Sequence, residues 1–144
     1  MSETVLAFDI GLKRIGVASG SRLTMRAHPA GQIKAGNGQF ERQKLDEIIN
    51  EWQPNSIVIG NPNTTDTHLK KLINRFTSHI QQQHKIPIFE IDEELTTEAA
   101  NTELTETKQQ GHGLTTDNKI ELRDQIAACL ILESFLNSTD NKLV

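Results

Sequence analysis

The rhythm of apolar and polar positions changes near residue 40. Before it, Thr4-Val5-Leu6-Ala7-Phe8-Asp9 is an apolar run that ends in an acid, with Ile10-Gly11 following as a turn signal. That is the pattern of a strand buried on both faces. Arg14-Ile15-Gly16-Val17-Ala18-Ser19 predicts a second strand, joined to the first by a hairpin through Gly11-Leu12-Lys13. A third, weaker strand is expected over 27–33, after which Gly31, Gly36 and Gly38 break the chain into a loop. Beyond residue 40 the period lengthens. Leu45, Ile48, Ile49 and Trp52 stand at i, i+3, i+4 and i+7, an amphipathic helix closed by Pro54. Ser56-Ile57-Val58-Ile59-Gly60 reads as a buried strand, and Leu69, Leu72, Ile73, Phe76 and Ile80 mark a second helix. Ile86-Pro87-Ile88-Phe89-Glu90-Ile91 predicts a strand whose Pro87 suits a sheet edge. A third helix is expected from Thr96, a suitable N-cap, to about Gln110, with Glu98 in its first turn. The glycine-bracketed loop 111–116 follows, then a last helix over 118–136 and a polar tail.

The order βββαβαβαα implies a mixed five-stranded sheet with helices on both faces. The chain of 144 residues fits one domain, taken as 1–137, with 138–144 as its C-terminal tail. Composition narrows the function classes. Aromatic residues make up 4%, with no Tyr, which counts against recognition by stacking bases on exposed rings. The single cysteine, Cys129, excludes an intrachain disulfide and reads as core packing, so a reducing compartment is the default. No apolar run approaches the roughly 18 residues of a membrane span, and Met1-Ser2-Glu3-Thr4 does not open a signal peptide. A cytoplasmic protein, without a membrane partner, is expected. The net charge of −4 does not advertise nucleic-acid binding, yet its distribution is uneven: residues 1–44 sum to +4 and the rest to −8. One face could meet phosphate while carboxylates serve elsewhere; ordinary solvated charge would give the same count.

In a mixed α/β sheet the working site lies beyond the carboxyl ends of the central strands. Asp9 ends the first strand, Asp92 and Glu93 follow the last one, and Asp124 sits on the final helix. Ala127, Ala128, Ile131 and Phe135 lie at +3, +4, +7 and +11 from Asp124, so this acid shares the stripe facing the sheet. A carboxylate pointing into the fold needs a cation or several donors. Asp124 could instead pair with Arg14 or Arg123, or lie at the wet edge of the stripe, and Asp9 could cap a turn. If the acids converge, they form an oxygen-rich cage for Mg²⁺ or Mn²⁺. Two such ions about 3.5–4 Å apart can hydrolyse a phosphodiester. Gly11 and Gly16 are explained by hairpin geometry as readily as by a phosphate loop. The five histidines, His28, His68, His79, His84 and His112, show no zinc-ligand spacing, although His112 could reach a substrate from its loop.

The stretch Asp9-Ile10-Gly11-Leu12-Lys13-Arg14-Ile15-Gly16-Val17-Ala18 resembles the opening motif of the YqgF/RuvX family. Gly60-Asn61-Pro62, Asp92-Glu93-Glu94-Leu95-Thr96-Thr97-Glu98-Ala99 and Asp124-Gln125-Ile126-Ala127-Ala128 match its other signatures, in order and spacing, over nearly the whole chain. The resemblance implies a ribonuclease H-like fold, similar to that of Holliday junction resolvases. It also implies a nuclease acting in 5′-end maturation of precursor 16S ribosomal RNA. It assigns metal binding and catalysis to Asp9, Glu93 and Asp124, with Asp92 in reserve, and substrate-phosphate contact to Lys13 and Arg14. Mg²⁺ or Mn²⁺ is the implied cofactor. Precursor rRNA is the implied partner, branched DNA the second, with ribosomal association and a monomer or weak dimer. Two departures bear on substrate choice and activity: Glu94 stands where the family usually has Arg, and the loop 61–67 differs from the family's Leu-, Asn- and Gly-rich form. The alternatives are a junction resolvase and a catalytically silent nucleic-acid or ribosome-binding module. Asp9-Ile10-Gly11 also resembles the phosphate motif of actin-like ATPases, whose two large lobes 144 residues cannot supply.

Overall fold

The apolar run at the start of the chain forms β1, Thr4–Ile10, and the hairpin partner β2 spans Arg14–Ser21. The computed structural model describes residues 3–62, 65–92, 116–137 and 142–143. Strand β3 runs Arg26–Gly36 and β4 is the pair Gln39–Phe40; then come α1 (Arg42–Trp52), β5 (Ser56–Asn61), α2 (Thr67–Gln83) and β6 (Ile88–Asp92). Helix α3 covers Thr116–Asn137, and Lys142–Leu143 form β7. The strands lie in the order β4-β3-β2-β1-β5-β6-β7. β1 pairs antiparallel with β2 and parallel with β5, and β5 pairs parallel with β6.

Three points differ from the five strands expected, the first being that β3 continues to Gly36 where the glycines predict a loop. β4 and β7 add two residues each, too short to carry a periodic signal. Strand β6, expected at an edge because of Pro87, has β5 on one side and β7 against Phe89 and Glu90 on the other. Pro87 itself stands just before β6, where its carbonyl accepts the Ile57 N–H at 2.9 Å and its missing donor costs nothing. The expected helix 96–110, residues 111–115 of the glycine-bracketed loop, and Glu93 lie outside the described residues. Among the described residues no helix is long and apolar enough to cross a membrane.

Alternation along β1 sorts the core into two layers. Leu6, Phe8 and Ile10 face α1 and α2, where they pack with Leu45, Ile48, Leu72, Phe76 and Ile80. Phe8 and Phe76 meet edge to face with centroids 4.9 Å apart, and burying each such ring contributes about 1.5–3 kcal/mol. Val5 and Ala7 face the other way, onto Ala128, Ile131, Leu132 and Phe135 of α3. On β1 and β2 the residues of that second face are small, with Ala7, Gly16, Ala18 and Gly20 among them. A Cβ on Gly20 would lie 2.8 Å from Leu132, so the helix rests almost on the strands. In β3 an extra residue bulges opposite Val17 and Ala18, and Gly31 there takes φ +132°.

Candidate active site

Asp9 follows Val5 and Ala7 in the same parity, so its side chain belongs to the face covered by α3. Its cross-strand partner is Gly16, and the partner of Gly16 on β3 is Gln32. These three residues form one row across the sheet. Directly above that row lies the backbone of Asp124: a Cβ on Gly16 would run into its carbonyl and sit 3.0 Å from its Cβ. Glycine at 16 is therefore what brings the helix-borne acid down onto β2, next to the strand that carries Asp9.

Two donors hold the Asp124 carboxylate. Arg14 Nε donates to Oδ2 at 2.9 Å, and Gln32 Nε2 donates to the same oxygen at 3.1 Å. Of the pairings considered for an inward acid, Arg14 is the one found, and Gln32 adds a second bond. The Arg14 side chain remains 41% exposed and that of Asp124 21%, so the pair contributes at most about 1 kcal/mol after solvent screening. Lys13 is exposed at the hairpin tip, where its carbonyl accepts the Ala35 N–H at 3.0 Å.

Asp92 is placed differently. It ends β6 beside Asn61 of β5, in the parity of Ile88 and Glu90. Ile88 packs in the α1/α2 layer, and Glu90 lines a cleft of about 270 Å³ with Lys70, Asn74 and Thr77 of α2 and Gly60, Asn61 and Pro62 of β5 and its exit. Asp92 thus projects on the α2 side of the sheet, opposite to Asp9 and Asp124. Sequence reasoning brought Asp9 and Asp124 into view but missed Gln32, whose position depends on the β2–β3 register and its bulge.

A second polar cluster was also missed. Asp46 on α1 meets His79 on α2 and His84 at the α2 C-cap: Nε2 of each ring lies 2.8 and 2.7 Å, respectively, from Asp46 Oδ1. The two histidines are five residues apart across a helix end and more than thirty from Asp46, a spacing no metal motif describes. Burial raises the Asp46 carboxyl pKa, but hydrogen bonds from His84 and His79, together with their charges, outweigh it and hold the pKa below its ordinary 3.8. A carboxyl depressed on folding contributes stability above its unfolded pKa and loses it as pH falls through the folded one. The thermal advantage of the native chain over Asp46→Asn is therefore expected to persist from neutrality to about pH 4 and to shrink below it. Melting curves of both proteins between pH 7 and pH 2.5 check this.

An antiparallel meander continued by parallel strands, with helices on both faces of the sheet, gives a ribonuclease H-like α/β fold. Among solved structures the chain is similar to T. thermophilus RuvC in complex with a Holliday junction substrate, with a TM-score of 0.62 at 10% identity over 98% of this chain and 99% of that one. The profile of the RuvX family, described as Holliday junction resolvase, matches residues 3–138, and the chain belongs to that family. It is 36% identical over 138 residues to a protein of Legionella pneumophila (strain Lens) named "Putative pre-16S rRNA nuclease", covering 94% of this chain and 96% of the relative. A protein of the same name from Albidiferax ferrireducens is 39% identical over 140 residues, covering 94% of this chain and 79% of that one.

Proposed function

We propose that this protein is a divalent-metal-dependent nuclease that hydrolyses phosphodiester bonds in the 5′-end processing of precursor 16S rRNA. The observation that carries the reading is the stacking of Asp124 over the Asp9–Gly16 pair, which sets two carboxylates from distant segments on one face of the sheet. The names of the relatives support the RNA substrate.

The donor set fits hard cations, since both acids offer carboxylate oxygens and, among the described residues, no soft ligand stands in their row. Asp9 and Asp124 would hold Mg²⁺ or Mn²⁺ with Glu93. The position of Asp92 on the α2 side supports Glu93 rather than Asp92 as the third acid. When bound, such ions polarise the scissile phosphate and supply a nucleophile at neutral pH. The rest belongs to the chain. Arg14 and Gln32 both donate to Oδ2 of Asp124 and so fix the orientation of its carboxylate. Lys13, at the exposed hairpin tip, and the exposed part of the Arg14 guanidinium are suited to meet a phosphate flanking the bond to be cut. The reading implies action in the cytoplasm on a precursor ribosomal particle.

Branched DNA is the second reading, favoured by the family description and by the junction bound to the RuvC neighbour. Competition separates the two. With labelled precursor 16S rRNA, Mn²⁺ and the full chain, unlabelled precursor is expected to suppress cleavage at concentrations at least about tenfold lower than a four-way DNA junction of equal nucleotide content. The reverse order would transfer the assignment to junction resolution. Absence of cleavage of either substrate, with no Mn²⁺ heat in calorimetry, would leave a silent binding module.

A further inference from the structure

On the side of the sheet opposite Asp9 and Asp124, α1 and α2 bring together three groups with the chemistry of a metal site. We propose that Asp46, His79 and His84 bind one divalent transition-metal ion of the zinc class, tying the C-terminal turn of α2 to α1. Their ligand atoms all lie within 4.8 Å of one another. Two imidazole nitrogens and one carboxylate oxygen form the borderline donor set preferred by Zn²⁺, and a water completes four coordination. Mg²⁺, which demands oxygen, is a poor match. Metal–ligand bonds of about 2.0–2.1 Å set tetrahedral ligands roughly 3.3 Å apart. The 2.7 and 2.8 Å separations from Asp46 Oδ1 therefore need to open by only about half an ångström. Each Nε2 exchanges the proton it now donates to the carboxylate for the ion.

The surroundings hold these groups ready. The side chains of His79 and His84 are 14% and 13% exposed, whereas Asp46 at 37% leaves a way in from solvent. His79 packs against the Phe40 ring with centroids 6.0 Å apart. His84 is fixed at the helix end, where its backbone N–H donates to the Ile80 carbonyl at 2.9 Å. Two guanidiniums line the adjoining cavity with His79 and would repel a cation if they turned inward. Both are engaged: Arg75 donates to the Gly38 carbonyl, and Arg42 lies 6.0 Å from the centre of the Phe40 ring.

The test uses the full chain, stripped of metal and titrated with Zn²⁺ by calorimetry and with Co²⁺ by visible absorption. Asp9→Asn, in which the carboxylate site is disabled, is expected to bind one equivalent of Zn²⁺ and the native protein at least that one, with Co²⁺ giving the intense visible bands of four coordination. His84→Gln and His79→Gln are expected to lose at least roughly 100-fold in Zn²⁺ affinity, the upper end of what losing an outer-shell partner costs. Should a variant unfold, imidazole NMR of the native chain decides the matter: stoichiometric Zn²⁺ must shift His79 and His84 before His28 and His68. Unchanged Zn²⁺ affinity in folded His84→Gln, loss of all Zn²⁺ binding in Asp9→Asn, or unshifted His79 and His84 rings would overturn the site. The cluster would then be an aspartate bridging two histidines and nothing more. Because the readout is Zn²⁺ on the α1/α2 face, failure here leaves the nuclease reading untouched, and failure of that reading leaves this site standing.

Discussion

Asp9→Asn is expected to lower Mn²⁺-dependent cleavage of precursor 16S rRNA by at least about 10³-fold while the fold stays intact. The substitution keeps the size of the side chain and its capacity to accept a hydrogen bond but removes the charge. A hard cation held by carboxylates loses most from that change, because its attraction to a neutral amide oxygen is far weaker than to an anion. Metal assistance contributes several kcal/mol of transition-state stabilisation, and each 1.36 kcal/mol is tenfold in rate. Stability should change little, because the substitution leaves both apolar layers untouched. The melting temperature is expected to stay within a few degrees of the native value. Single-turnover cleavage, Mn²⁺ calorimetry and a melting curve on the same preparation give the answer. Undiminished cleavage by Asp9→Asn would remove Asp9 from the chemistry.

What the amino-acid pattern disclosed follows the range of the interactions involved. Asp124 was placed on the sheet-facing stripe of its helix by spacing alone, because i, i+3, i+4 and i+7 are local relations that a helix enforces. For Asp9 the apolar run marked only the strand end, since a run buried on both faces does not say which face the acid takes, and the packing of α3 decides that. Gln32 was beyond reach. Its bond to Asp124 spans 92 positions and depends on the bulge that lets Ala18 pair with Pro29 while Val17 pairs with Gly31. A one-residue slip would turn Gln32 to the other face. The Asp46, His79 and His84 cluster was hidden for a related reason, since packing of two helices on one sheet face, rather than any short motif, brings the groups together. Arg14, given to substrate phosphate by the family resemblance and weighed as a partner of Asp124, is found on Asp124. Helix spacing was enough to name that pairing, though not to choose it over Arg123.

Gly16→Ala should be the most damaging methyl addition among Gly11, Gly16, Gly20, Gly31, Gly36 and Gly38, because its Cβ would come closest to a neighbouring backbone. The added Cβ would overlap the backbone carbonyl of Asp124, which cannot rotate aside as a side-chain tip could. Relief requires moving α3 off β2, and that strips contacts from Ala128, Ile131, Leu132 and Phe135 along the same face. Overpacking a well-filled interface costs about 1–3 kcal/mol. With backbone opposing backbone the upper end is expected, lowering the melting temperature by roughly 10 °C. Gly36→Ala supplies the contrast, since a Cβ there meets nothing within 4 Å, and its effect should stay within about 0.5 kcal/mol. Activity distinguishes a loosened core from a disrupted site. At a temperature where Gly16→Ala remains folded, its cleavage rate should still fall at least about tenfold and its Mn²⁺ affinity should weaken, because the displaced helix carries Asp124 away from Asp9. A 1 Å misplacement of catalytic groups is enough for losses of that order. Native-like cleavage by the folded variant would mean that Asp124 does not need the close approach that Gly16 permits, and the two-carboxylate site would have to be redrawn around other residues.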